Sequence, residues 1–119
     1  MEPYEEKKPW GRFIQFCCNT QSTVKVIEVE PGEQLSVQRH KNRDELWIAL
    51  DPGLVALVEN ETVFMKDIEV EVEPVFIPRN TIHSIKNTNL VSKAKFIEIS
   101  FGDFNENDIE RIQDIYGRS

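Results

Sequence analysis

Polar and apolar residues largely alternate through STVKVIEVE, Ser22 to Glu30, the two-residue period of a strand with one buried face. Runs rich in β-branched and aromatic residues return in RFIQFCC (Arg12 to Cys18), QLSVQRH (Gln34 to His40), ELWIAL (Glu45 to Leu50) and LVALVE (Leu54 to Glu59). They continue in TVFMK, IEVEVE, VFIP, IHSIKN and AKFIEISF. Pro31-Gly32, Asp51-Pro52-Gly53, Glu59-Asn60 and Arg79-Asn80 carry turn chemistry between them. Many short strands at this spacing predict an all-β sandwich or small barrel over residues 10–102. The end of the chain reads differently. In NENDIERIQDIYGR, Asn105 or Asn107 can cap, acids crowd the first turn, and Ile109, Ile112 and Ile115 or Tyr116 recur at helical spacing. A short C-terminal helix over residues 105–116, packed as a lid and ending at Gly117, is therefore expected.

A chain of 119 residues holds one ordinary core, so a single domain is expected. A formal charge of -7 repels nucleic acid and anionic membrane surfaces, and neither is an expected partner. No apolar run reaches the length of a membrane span, and MEPYEEKKPW lacks the apolar segment of a signal peptide, which predicts a cytoplasmic setting. Adjacent Cys17 and Cys18 are read as free thiols, one inward and one outward.

The chain has only two histidines, and both sit beside turn residues. Strand alternation puts Gln38 and His40 on one face; Glu45 opens the next strand within reach, and His83 begins a much later one. One amide, two imidazoles and one carboxylate form a competent ligand set for a divalent ion, with Zn, Fe, Ni, Co and Mn all compatible. Gly32 and Asn80 can take the positive φ of a tight corner, and Pro78 fixes the entry to the second one. Each residue alone also has an ordinary structural explanation; their spacing is the evidence.

From Gly32 there are five residues to Gln38, one to His40 and four to Glu45; from Pro78, one to Asn80, two to His83 and three to Asn87. This resembles the paired motifs of the cupin superfamily, with Gln38 in place of the first motif histidine and Asn80 in place of a glycine. KPWGRF, GEQLSVQRH, NRDELW, FIPRNTIHSIKN, FIEIS and DIERIQDIYGR together resemble the type II phosphomannose isomerase domain along essentially the whole chain. That resemblance implies a cupin double-stranded β-helix and metal-dependent interconversion of mannose 6-phosphate and fructose 6-phosphate. It implies metal ligation by Gln38, His40, Glu45 and His83, and phosphate binding by Arg43, Arg118 and Arg111. For Glu98 it suggests a catalytic base, against the alternative of an outward, solvated carboxylate; Arg43 is the second catalytic candidate. Trp10 and Trp47 are expected in core or rim packing. Lys41, Asn42 and Leu46 stand where typical members carry histidine near the metal, which bears on the substrate. No glycine-rich nucleotide loop is present, so guanylyl transfer by this polypeptide is not expected. The alternatives are a non-catalytic sugar- or nucleotide-sugar-binding module, a partner of a separate guanylyltransferase, or a metal-dependent cupin with different chemistry. Edge strands on so small a barrel also make a homodimer an expectation.

Overall fold

The computed structural model describes residues 3–113 and 117. Eleven strands run in the order β1 (Tyr4–Lys8), β2 (Gly11–Gln15), β3 (Ser22–Val29), β4 (Val37–Arg39), β5 (Arg43–Ala49), β6 (Leu54–Val58), β7 (Glu61–Phe64), β8 (Val75–Ile77), β9 (His83–Asn87), β10 (Ala94–Gly102) and β11 (Glu110–Gln113). They form a hairpin β1-β2 and two sheets, β3-β10-β5-β8 and β11-β4-β9-β6-β7, whose named strands all pair antiparallel. This is the double-stranded β-helix of the cupins, with hydrophobic faces buried between two sheets.

Alternation decides what each face holds. Along β5, Glu45, Trp47 and Ala49 point inward while Leu46 and Ile48 point outward. The inner cluster gathers Trp47, Ala49 and Phe96 from one sheet and Leu54, Ala56 and Ile85 from the other. The outer cluster, Leu46, Ile48, Ile99 and Phe101, is covered in part by Phe16 and Cys17 from the segment following the hairpin. Toward one end of the barrel the inner face turns polar, where Gln38, His40, Glu45, His83, Glu98 and Ser100 are all buried.

The spacing of the two motifs is a pairing register. The amide of Gly32 donates to the Asn87 carbonyl at 3.1 Å, Asn87 donates back to the Glu33 carbonyl at 3.0 Å, and Gln38 stands opposite His83. Asn87 is fully buried, and its side chain ties Val29, Ser92 and Asn89 together. Gly32 and Asn80 do take positive φ, 74° and 64°, as their turns predict.

Several expected elements differ. No helix forms among the described residues of the C-terminal segment, so none there is long and apolar enough to cross a membrane. The helical spacing of Ile109 and Ile112 is overridden because an isolated helix of that length is marginal in water. The edge of β4, by contrast, offers β11 a ladder. Asn105 caps a turn, accepting from the Asn107 amide at 2.9 Å, and the Asp108 carboxylate is captured by the backbone amides of Lys41 and Asn42. Ile115 and Tyr116 lie outside the described residues. IEVEVE alternates without forming a strand: buried Asp67 accepts from the Glu69 and Val70 amides and turns the chain. RFIQFCC is strand only to Gln15, and QLSVQRH only over Val37–Arg39. The charged N-terminal stretch, outside the expected barrel, pairs with β2 as a hairpin near whose turn Trp10 is 73% exposed, so Trp10 is not a core residue.

Candidate metal centre

The two sheets supply donors from opposite sides. Gln38 and His83 face each other across the β4–β9 pair, and His40 lies just beyond the end of β4 on the same face. Glu45 comes from β5 in the other sheet, with Ser100 of β10 as its register partner. Glu45 Oε2 lies 3.5 Å from His40 Nε2, and Glu45 Oε1 lies 3.5 Å from His83 Nε2. One ligand atom from each of the three residues falls within 4.8 Å of the others. An ion bound at about 2.1 Å holds its ligands roughly 3–4 Å apart, so the seat needs little contraction.

The hydrogen bonds set the chemistry of both rings. His40 Nδ1 lies 2.6 Å from the Asp108 carbonyl and His83 Nδ1 lies 2.8 Å from the Thr81 carbonyl. A carbonyl only accepts, so each ring carries its proton on Nδ1 and turns the lone pair of Nε2 toward Glu45. His83 Nε2 is buried with no hydrogen-bond partner. An unsatisfied buried acceptor is costly, and a cation at this point would satisfy it. His40 Nε2 instead accepts from Arg43 Nη2 at 3.2 Å. Burial pushes the His83 pKa down to about 4, and burial, reinforced by Arg43, also lowers that of His40. Both rings are neutral near pH 7, the state a metal ligand needs. Trp47 packs edge-on against His83, ring centroids 5.5 Å apart, and fixes the ring from the apolar side.

A second carboxyl adjoins the first. Glu98 of β10 stands between Trp47 and Lys25 in register, is 6% exposed, and accepts from Ser100 Oγ at 3.3 Å. Burial, then the charge and hydrogen bond of Glu45, push its pKa up to about 7, against the pull of Arg43 and Lys25. Burial likewise raises Glu45, which Arg43 opposes. Glu98 is thus an inward carboxyl, and the solvated alternative does not hold.

Arg43 is 7% exposed, and its guanidinium is engaged on all sides. Nε donates to Glu45 at 3.2 Å, Nη1 to the Asn105 carbonyl at 3.1 Å and Nη2 to His40, while the group stacks 4.5 Å over the Phe104 ring. Arg111 lies on β11 opposite Gln38, on a strand and not on the expected helix. Arg118 lies outside the described residues. Leu46, expected beside the ligands, is buried in the outer cluster because its neighbour Glu45 points inward. Lys41 and Asn42 are exposed at the turn.

The segment 103–109, of which 105–109 belongs to the expected helix, is instead a strap across this end of the barrel. Besides the contacts of Asp108 and Asn105, Phe104 and Glu106 both meet Lys25, whose Nζ is 4.3 Å from the Phe104 centroid and 3.0 Å from Glu106 Oε1. Lys25, Phe104, Asn105 and Asp108 carry no motif that marks them as site residues in the sequence. A faint signal exists for Lys25, which shares its strand face with Thr23 and Ile27.

Residues 3–114 match the family model described as mannose-6-phosphate isomerase, C-terminal. The alginate biosynthesis protein AlgA of Pseudomonas fluorescens is 35% identical over 97% of this chain and 23% of its own length. Mannose-1-phosphate guanylyltransferase RfbM of Salmonella typhimurium is 35% identical over 94% of this chain and 22% of its own. The chain thus spans less than a quarter of these curated relatives. Among solved structures, the capsular polysaccharide assembling protein CapF of Staphylococcus aureus superposes with a TM-score of 0.67 at 17% identity, covering 96% of this chain and 33% of that one. A cupin 2 domain-containing protein of Halorhodospira halophila gives 0.64 at 18%, covering 76% and 57%. At such identities these two speak for the fold alone.

Proposed function

The chain belongs to the mannose-6-phosphate isomerase C-terminal family, and on that premise we propose that it is a metal-dependent aldose-ketose isomerase converting mannose 6-phosphate to fructose 6-phosphate. The observation that carries this reading is the convergence of His40, Glu45 and His83, with the lone pair of buried His83 Nε2 aimed at no protein donor. Gln38, across the sheet from His83, would complete the donor set. When bound there, a divalent ion of the Zn, Mn, Co, Ni or Fe kind would supply Lewis acidity at the sugar C1 and C2 oxygens. His40 and His83 contribute neutral imidazoles whose tautomers are already set by Asp108 and Thr81. Glu98, with its pKa near 7, is suited to take the proton from C2 and return it to C1, since a carrier matched to the working pH both accepts and donates. Arg43 offsets the two carboxyls and holds the Glu45 carboxylate in place, while the strap from Phe104 to Asp108 limits water on the reacting carbons. A place in mannose and polysaccharide precursor metabolism follows from this reading.

The test is a coupled assay of mannose 6-phosphate turnover in metal-loaded protein, with deuterium exchange at C2 in D2O followed by NMR. Turnover and exchange, both lost in Glu98→Gln with metal content unchanged, support the proposal. Fully loaded protein showing neither turnover nor exchange would overturn it. Arg43 donating to His40 Nε2, at the very point where an ion would sit, favours as second reading a sugar-binding module or a partner of a separate guanylyltransferase. That reading gains if saturable sugar-phosphate or nucleotide-sugar binding occurs without C2 exchange.

A further inference from the structure

We infer that Lys25 is the anchor for the anionic group of the ligand, and that the Glu106 carboxylate stands in for that anion until it arrives. This rests on the reading of the cavity as a sugar-phosphate site. Arg43 has its nitrogens committed to Glu45, His40 and the Asn105 carbonyl, and is too deeply buried to receive a phosphate at the barrel mouth. Lys25 differs in each respect. It lies on the inward face of β3, directly opposite Glu98 in register, and its side chain keeps 39% of its surface open to solvent. Register pairing sets Lys25 across from Glu98, its ammonium directed to Glu106 and the Phe104 ring at the solvent side of the cluster, and its charge lowers the Glu98 pKa.

What Lys25 now holds is replaceable. Its anion is Glu106, whose side chain is 77% exposed on the strap, and an ion pair between groups so open to water contributes little. A phosphate monoester carries more charge and three acceptor oxygens, so it competes well with one exposed carboxylate. Phe104 supports the ammonium from the side, its centroid 4.3 Å from Nζ, and leaves the remaining hydrogens of Lys25 for an incoming oxyanion. The strand pattern makes the placement notable: Val24 and Val26, which an apolar core would be expected to claim, are each 61% exposed, and the lysine between them faces in.

The probe is inorganic phosphate titrated into chelator-treated protein, followed by calorimetry or phosphorus NMR; chelation removes any binding to a metal. Lys25→Met should weaken phosphate binding by about tenfold or more, Lys25→Arg should retain most of it, and Glu106→Gln should tighten it by about two- to fivefold because the internal competitor is gone. Circular dichroism and metal content confirm that each variant is folded with an intact centre. In metal-loaded protein the same ranking should appear in affinity for mannose 6-phosphate and be absent for mannose. Wild-type protein that binds no phosphate, or Lys25→Met and Glu106→Gln variants that bind like wild type, would overturn the inference. If the phosphate ranking holds without isomerase activity, Lys25 stands and the isomerase reading falls. If isomerisation is found with unchanged phosphosugar affinity in Lys25→Met, the reverse is true.

Discussion

Replacing Glu98 by glutamine in metal-free protein gives a pH signature whose size follows from the site. The carboxyl is buried against Glu45, and its pKa stands at about 7 in place of the ordinary 4.5. The native state therefore holds a proton that the unfolded chain releases between those two pH values. Where the native state binds more protons, stability falls as pH rises. The contribution of Glu98 is thus neutral near pH 4.5, declines through about pH 7 and is flat above. At about 1.4 kcal/mol per pKa unit, ionising it in place costs about 3 kcal/mol. The glutamine side chain is isosteric with the protonated acid and has nothing to ionise. Glu98 acts on Glu45 as a hydrogen-bond partner that lowers its pKa, and the glutamine amide can donate the same bond. The two histidines act oppositely: lowered pKa values make them lose native stability as pH drops below 6.5, toward about 4 for His83. His83 keeps that slope in both proteins, but Glu98 also raises the His40 pKa, so the difference isolates the carboxyl above about pH 6.5, where both rings are neutral. Urea unfolding with chelator at intervals from about pH 5 to 8 should show Glu98→Gln close to wild type at the acid end and more stable by up to about 3 kcal/mol at the alkaline end. A difference that stays flat over that range, or a variant less stable at the alkaline end, would refute the buried-carboxyl argument.

Other consequences are open to simpler measurements. Single replacement of His40 or His83 by Ala should abolish tight metal retention, because the remaining donors hold a divalent ion poorly; stoichiometric metal by elemental analysis in either variant would count against the seat. Metal at about a hundred times its dissociation constant should add about 2.7 kcal/mol to wild-type stability, read as a rise in Tm that EDTA reverses and that His83→Ala lacks. Asn87→Ala orphans the Val29 and Ser92 carbonyls and the Asn89 amide, and should cost about 3 kcal/mol in denaturant unfolding with the slope unchanged. A loss below about 1 kcal/mol would mean that water replaces the side chain there.

The convergence of the candidate metal ligands was legible in the sequence because these residues obey short-range rules. Two-residue alternation puts Gln38 and His40 on one face, and the Gly32 and Asn80 corners mark where the paired motifs begin and turn. The strap was not legible, since Ile109 and Ile112 suit a helix as well as they suit any other local structure. What decided the outcome was a distant edge, β4, and two turn amides that Asp108 could satisfy. The same limit hid Lys25. In β3 both faces carry a mixture of apolar and polar residues, so period alone does not choose which one is buried.

Pairing with β10 made that choice, setting Lys25 opposite Glu98 and leaving Val24 and Val26 outside. The consequence reaches the chemistry. If β3 were shifted by one residue, a valine would stand beside Glu98, the cation that offsets its charge would move to the outer face, and the carboxyl's pKa would rise further from its ordinary value. Register in an edge strand is thus a determinant of the Glu98 carboxyl's acidity. It is specified by backbone pairing that extends from Ser22↔Phe101 to Val29↔Ala94, remote from the two motifs that carry the candidate metal ligands.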